Sequence, residues 1–442
     1  MNDVGLSFSV LQRLLAEVIA QLADPRKPSN ATIFSLQDIV LGAFCMFYMQ
    51  CPSFLEHQRQ MDSRHGLNNA QTLFGLEAIP TPPHIKTVLD KIAAKHLFGV
   101  FHQVFIALCN RGTLEQYKVL GGELLLGLDG SEYFSSKQIC CQHCSTQTHR
   151  DGTTTYSHKA VLPVVVAPGI EQVISLAPEF IRPQDGATKQ DSETAAAKRW
   201  LKSHGSAFDG LSITVLGDDL YSRQPMVERC LANGWNFIFV CLPSSHSELY
   251  EWVEYLEGIG EVRHVEIRRW NGRYHEIGHY RYSNGVPLRE AQPALMVNWC
   301  EVTMTRAADG RQMYHNAFVT HHTITDESVV EVVMAGRARW KGENEGHNVL
   351  KTKGYHLEHN FGHGQEHLSM VLLTLNLLAF LFHTVLHLVD ESYQRIRQQR
   401  GTRQGFFNDI KALTQYFIFE SWDHLILFML GDAGISPVTD TS

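Results

Sequence analysis

Leu124-Leu125-Leu126-Gly127-Leu128-Asp129-Gly130 is an apolar run closed by a carboxylate and a glycine. It has the length and composition of a short buried strand, Glu123 to Asp129, and its end places Asp129 at a sheet edge where ligands gather. Gly130-Ser131 lets the backbone approach closely there. A second run, Ile213-Thr214-Val215-Leu216-Gly217, closes on Asp218 and Asp219. Between the two, Ala160 to Ala167 and Glu171 to Leu176 read as strands split by the turn Pro168-Gly169. Asp191 is a candidate cap for a helix through Ala195, Ala196, Ala197 and Trp200. After Asp218, a helix over Gln224 to Asn233 stops at Gly234, and Trp235 to Leu242 is a further strand. This order of strands and helices predicts a mixed α/β sheet over 119–243.

Either side of that core the pattern changes. Residues 1–118 read as an all-α N-terminal domain. Phe8 to Leu22 has helical spacing, Ser35-Leu36-Gln37-Asp38 caps a run over Ile39 to Met49, and the breaker Ala78-Ile79-Pro80-Thr81-Pro82-Pro83 precedes a helix over His84 to Leu97. Residues 244–325 read as a β-rich insertion, with alternating segments Val262 to Trp270, Tyr274 to Tyr282, Ala294 to Met304 and Met313 to Val319. Residues 326–395 complete the core with a helix carrying Glu343, a histidine-rich link and an apolar helix. Residues 396–442 form a helical tail that frays past Pro437.

The chain has 442 residues, 44% of them apolar and 19% charged, enough to bury a sizeable core. Its net charge of −8 argues against a general polyanion binder, so any nucleic-acid contact depends on local basic patches. Nine cysteines without a secretory leader point to a reducing cytoplasm and no disulfide framework. Met370 to Val389 has the length of a membrane span, but it carries Thr374, Asn376, His383 and His387 and is expected to be a buried core helix, with no membrane partner.

Asp129, Asp218 and Glu343 are the candidate catalytic and metal-binding residues, because hard divalent ions take oxygen ligands. Asp219 is the alternative to Asp218, since alternation lets only one of the two face a given side of the sheet. Glu345 competes with Glu343. On a helix Arg339 and Glu343 share a face at i, i+4, with Arg337, Trp340, Lys351 and Lys353 nearby. Arg339, Trp340, Lys351 and Lys353 are candidate DNA contacts. So are Arg268, Arg269, Trp270 and Arg273 in a hairpin around Asn271-Gly272. Cys141, Cys144, His149 and His158 have the composition of a zinc site, in which Cys140 or His143 can replace one ligand. Of the later histidines, His347, His356, His359, His363 and His367, the pair His359 and His363 are candidates for proton transfer.

The spacing of Asp129, Asp218 and Glu343, with a β-rich stretch before the glutamate, resembles bacterial insertion-sequence DDE transposases of the IS-four group. Arg339-x3-Glu343 matches the middle of that group's Tyr-x2-Arg-x3-Glu-x6-Lys signature. Gly336 stands at the tyrosine position, and Lys351 follows seven intervening residues instead of six. Leu128 to Ser136 and Leu357 to Gly364 are similar to one branch of these enzymes. The resemblance spans roughly 121–390. It implies a ribonuclease-H-like mixed sheet flanked by helices, two Mg²⁺ or Mn²⁺ ions held by Asp129, Asp218 and Glu343, and cut-and-paste transposition. Its implied partners are transposon ends and target DNA, bound by a homodimer in the bacterial cytoplasm at the nucleoid. A catalytically inactive DNA-binding protein on the same fold, or a nuclease without strand transfer, are the alternatives.

Overall fold

The computed structural model describes residues 6–29, 32–183, 191–289 and 293–434. Thirteen strands occur among them: β1 Leu124–Gly127, β2 Gly130–Ser136, β3 Ser145–Thr148, β4 Thr154–Val161, β5 Val164–Val166, β6 Ile174–Ser175, β7 Glu179–Ile181, β8 Ile213–Gly217, β9 Asn236–Val240, β10 Arg263–Trp270, β11 His275–Pro287, β12 Met296–Arg306 and β13 Gln312–Thr320. Nine form one mixed sheet in the order β10-β11-β12-β13-β9-β8-β1-β5-β6. At its centre β1, β8 and β9 run parallel, while β5 pairs antiparallel with both β1 and β6. Every residue of β1, β5 and β8 is buried, which explains why these strands read as continuous apolar runs without alternation. The protein is therefore of mixed α/β class.

A smaller sheet has β4 at its centre. β2 pairs along one edge of β4, and β3 and β7 share the other, at Thr154–Ser157 and Lys159–Val161 respectively. The single strand expected over Ala160 to Ala167 is thus two strands in two sheets. The chain crosses between them at Leu162-Pro163, and a proline has no N–H to continue a ladder. β2 and β3 had no clear apolar signal, because they are polar on their outer faces.

The four β segments expected over 244–325 form, with β10 to β13 at shifted bounds, and they extend the central sheet through β13 on β9. A helix, Ser247–Gly258, precedes them that the sequence reading did not anticipate. β10 is the sheet edge. Its charged residues pair locally, Arg263 with Asp326 at 2.8 Å and Arg269 with Glu276 at 2.5 Å, a charged edge that opposes strand addition.

Among the described residues up to 118 the regular elements are helices, and the cap at Ser35 forms: Ser35 Oγ accepts from Asp38 N at 2.9 Å and Asp38 Oδ2 from Ser35 N at 3.3 Å. The helix expected over His84 to Leu97 instead ends at Leu89, with a 3-10 turn at Ala94–Leu97 and a bend of 99°. Asp90 is the reason. Its carboxylate leaves the helix and accepts backbone N–H groups of Gln365, Glu366, His367 and Leu368, at the start of the helix Leu368–Val389. That apolar helix is long enough to cross a membrane, yet 94% of its most apolar window is buried inside the protein.

Helices on either side of the boundaries expected at 118 and 395 pack into one body. Phe44 stacks edge-on with Phe382 at 5.1 Å, Phe8 and Tyr48 both touch Trp422, and Asn69 hydrogen-bonds Thr414, Phe417 and Phe419. First and last helices thus wrap the same buried helix. The fraying expected past Pro437 lies outside the described residues.

Candidate active site and a cysteine-histidine cluster

Asp129 follows β1 and Asp218 follows β8. The two strands are parallel neighbours with Gly127 opposite Leu216, so each aspartate stands two residues past a paired position. Both carboxylates therefore emerge side by side at the carboxyl end of the sheet, where open α/β folds place their ligands. Asp218 and Asp219 separate by environment. Asp219 Oδ1 accepts from Leu242 N at 2.8 Å and Ser245 Oγ at 2.5 Å, tying down the turn after β9. Asp218 accepts its local Leu220 N at 2.9 Å, and its charge bears on Asp129.

The tight exits from both strands depend on glycine. A Cβ on Gly217 would meet Tyr221 at 2.7 Å, because Tyr221 folds back beneath the strand end. From there its buried hydroxyl donates to Glu193 Oε1 at 2.8 Å. A Cβ on Gly130 would run into the same Glu193 carboxylate, which accepts from Gly130 N at 3.1 Å. Glu193 opens the helix Glu193–His204. Ser192, not Asp191, caps that helix: Ser192 Oγ accepts from Ala195 N, while Asp191 forms a two-pronged pair with Arg199. Glu193 was not among the residues singled out from sequence. Its only signal was a place in the first turn of a helix, where an acidic residue is ordinary.

Glu343 does not sit on a regular α-helix. The helix Val329–Arg337 turns at 338–339, and Gly342–His347 is a π-helix, the wider coil that often marks functional segments. Arg339 lies in the turn and Glu343 in the π-helix, and the charges of both bear on Asp129. Gly336, at the signature's tyrosine position, presses flat on the sheet: a Cβ would meet Ile238 and Phe318 at 2.9 Å. No tyrosine fits there. Lys341 Nζ donates to Ile170 O at 2.7 Å and anchors the π segment over β5. His347, at the end of that segment, brings Nδ1 to 3.4 Å from Asp129 Oδ2. Burial, with Lys351 adding to it, pushes the His347 imidazole down to about 4, so it faces Asp129 neutral.

The electrostatic consequence falls on Asp129. Burial first, then Glu193, and to a smaller degree Asp218 and Glu343, push its carboxyl up to about 7, with Arg339 opposing. Burial also raises the carboxyl of Glu193, and Asp218 adds to the rise. The oxygens do not close on one point. Among the described residues, the group with all its ligand atoms within 4.8 Å of one another is Cys141, Cys144, His158 and His363.

That cluster differs from the zinc set read from sequence in its fourth member. His149 lies exposed at the tip of the β3–β4 hairpin, with Nε2 2.7 Å from Thr155 Oγ1. His363 arrives instead from the link before the apolar helix, its Nε2 3.7 Å from Cys144 Sγ. His363, expected as a candidate for proton transfer, thus lies beside the two cysteines and His158. Cys140 is exposed, and the His143 ring stacks on His367 at 5.8 Å.

The candidate DNA contacts divide. Arg339 lies where its charge reaches Asp129. Trp340 and Trp270 are exposed, at 45% and 58%. Lys351 pairs with Glu358 at 2.9 Å, and the Lys353 carbonyl accepts from Gln50 Nε2. Arg269 is engaged with Glu276, while Arg268 and Arg273 lie on the exposed hairpin. No protein-family model matches the chain, and no curated protein is similar enough in sequence to be paired with it.

Proposed function

We propose that this chain is a divalent-metal-dependent DNA transposase on a ribonuclease-H-like core. The observation that carries the reading is a buried Asp129 faced by three further carboxylates, Glu193, Asp218 and Glu343: burial first, and then their repulsion, hold Asp129 far above the usual carboxylate range. Such repulsion is costly unless a cation relieves it, and an all-oxygen donor set suits Mg²⁺ or Mn²⁺. The strand order β6-β5-β1-β8-β9, with only β5 reversed, supports the ribonuclease-H-like core. Ligand oxygens in a two-ion site lie further apart than those around one ion, because the ions themselves stand roughly 3.5–4 Å apart. This accommodates carboxylates that do not meet at a single point.

In this reading Asp129 and Asp218 hold the ions from the sheet and Glu343 from the π-helix. Bound there, the ions supply activation of a water and stabilisation of the leaving oxygen. Glu193 keeps the Asp129–Gly130 turn in place and adds negative charge. His347, with Nδ1 3.4 Å from Asp129 Oδ2, packs a neutral imidazole against Asp129. Arg339, beside the carboxylates, receives a phosphate, with Trp340 and the Trp270 hairpin further out. Joining two element ends in one event uses two copies of the chain, working on DNA in the cytoplasm.

The test uses purified protein, plasmid DNA and Mn²⁺. Nicking by the wild type and its loss in Asp129→Ala, with DNA retardation in gels unchanged, is the expected result. Cutting at the wild-type rate by Asp129→Ala overturns the assignment. Joining of a precut DNA end to plasmid separates a transposase from a nuclease, and cutting without joining would establish the latter.

A further inference from the structure

We propose that Cys141, Cys144, His158 and His363 bind one tetrahedral zinc-class ion that fastens the small sheet to the link ahead of the apolar core helix. The geometry is that of a closed four-ligand shell. Zinc–sulfur bonds of about 2.3 Å and zinc–nitrogen bonds of about 2.0–2.1 Å at tetrahedral angles require sulfur–sulfur separations near about 3.8 Å and sulfur–nitrogen separations near about 3.5 Å. Cys141 Sγ and Cys144 Sγ are 3.9 Å apart, and His158 Nε2 is 3.5 Å from each. His363 Nε2 is 3.7 Å from Cys144 Sγ. All four atoms lie within 4.8 Å of one another.

The surroundings are those of a structural site. Cys144, His158 and His363 are buried, and Cys141 is half-buried. The Cys141–Cys144 turn aims backbone N–H groups at its own sulfurs: His143 N to Cys141 Sγ at 3.4 Å, and Cys141 N to Cys144 Sγ at 3.4 Å. Such bonds favour thiolates over thiols. Phe134 packs on the His363 ring at 4.3 Å and Tyr133 on the His158 ring at 5.7 Å, excluding water. Two thiolates and two neutral imidazoles balance one divalent charge, and the two thiol protons leave to solvent on binding. With four protein ligands there is no open coordination position, so the ion holds structure and takes no substrate.

The ion joins distant parts of the chain. β2, which opens this sheet, begins one residue after Asp129, and His363 lies in the link downstream of Glu343. The two stretches carrying Asp129 and Glu343 are thereby tied together at one side of the site. The inference rests on the cluster alone and stands whether or not the carboxylates cut DNA.

The test is metal content of full-length protein by elemental analysis, followed by Co²⁺ titration after chelator treatment. One zinc per chain, and one Co²⁺ giving thiolate-to-cobalt charge-transfer absorption with tetrahedral ligand-field bands, are expected. His363→Ala weakens Co²⁺ binding by roughly a hundredfold or more. His149→Ala binds as the wild type does. The Co²⁺ spectrum of the wild type decides the matter even if a ligand variant fails to fold. Wild-type protein that holds no zinc and gives no thiolate–cobalt absorption overturns the proposal. So does a normal site in His363→Ala.

Discussion

Replacing Asp129 by asparagine should make the metal-free protein more stable while removing the proposed cleavage activity. The carboxyl titrates at about 7 in the folded chain, against an ordinary value of 3.8, because it is buried and faced by Glu193, Asp218 and Glu343. A displacement of that size corresponds to about 4 kcal/mol at ~1.4 kcal/mol per unit. Asp129 keeps a quarter of its side-chain surface exposed, 26%, so solvent screening brings the figure to roughly 2–4 kcal/mol. The sign follows from proton binding. Between the two values the folded state holds the proton and the unfolded chain does not, so wild-type stability falls as pH rises from about 4 to about 7. The cost is absent below pH ~4 and complete above pH ~7. Asparagine keeps the size of the side chain and an acceptor for His347, without the charge. In Mg²⁺-free buffer, denaturation midpoints of Asp129→Asn and wild type should therefore converge near pH 4 and separate by pH 8, the variant being the more stable. Mg²⁺ at pH 8 should raise the wild type and leave the variant nearly unmoved. Equal midpoints at pH 8, or an advantage of the same size at pH 4, would refute the electrostatic account of this site.

Three further substitutions probe its supports. Glu193→Gln keeps acceptors for Gly130 N and Tyr221 Oη but loses the charge. Cleavage should fall at least tenfold and half-saturating Mn²⁺ should rise, with an unchanged circular dichroism spectrum; wild-type kinetics would limit Glu193 to holding the turn. Gly336→Ala should cost about 1–3 kcal/mol in urea denaturation, since its Cβ meets Ile238 and Phe318 at 2.9 Å; a neutral effect would mean the helix shifts freely on the sheet. Asp90→Ala should cost about 1–2 kcal/mol by loosening the entry to the apolar helix. Burial raises the Asp90 carboxyl, but bonds from Gln365, Leu368, Glu366 and His367 outweigh it and leave the carboxyl below its ordinary value. That contribution is therefore present above pH ~4 and disappears as pH falls through the folded value, which acid titration of both proteins reads directly.

Local sequence determines local things. Contiguous apolar runs sufficed to place β1, β8 and β9 and to put Asp129 and Asp218 at strand ends, because burial on both faces leaves no room for alternation. The Ser35 cap, the stop at Gly234 and the buried character of the helix over 368–389 were legible for the same reason: each rests on residues a few positions apart. Partnership across the chain was not legible. Glu193 joins the carboxylates because its helix lands against Gly130, and nothing within its own segment marks that contact. His149 has the nearer spacing to Cys144, yet a hairpin carries it to an exposed tip, and His363 comes 219 positions along to take its place. The π-helix carrying Glu343 likewise sits where Gly336 and Gly342 pack close to the sheet, contacts that its own segment does not mark. Spacing along a polypeptide sets which atoms can meet within a turn or two. Which remote side chains share a cavity is decided by how strands pair and helices seat, a balance of burial over the whole body that no single segment contains.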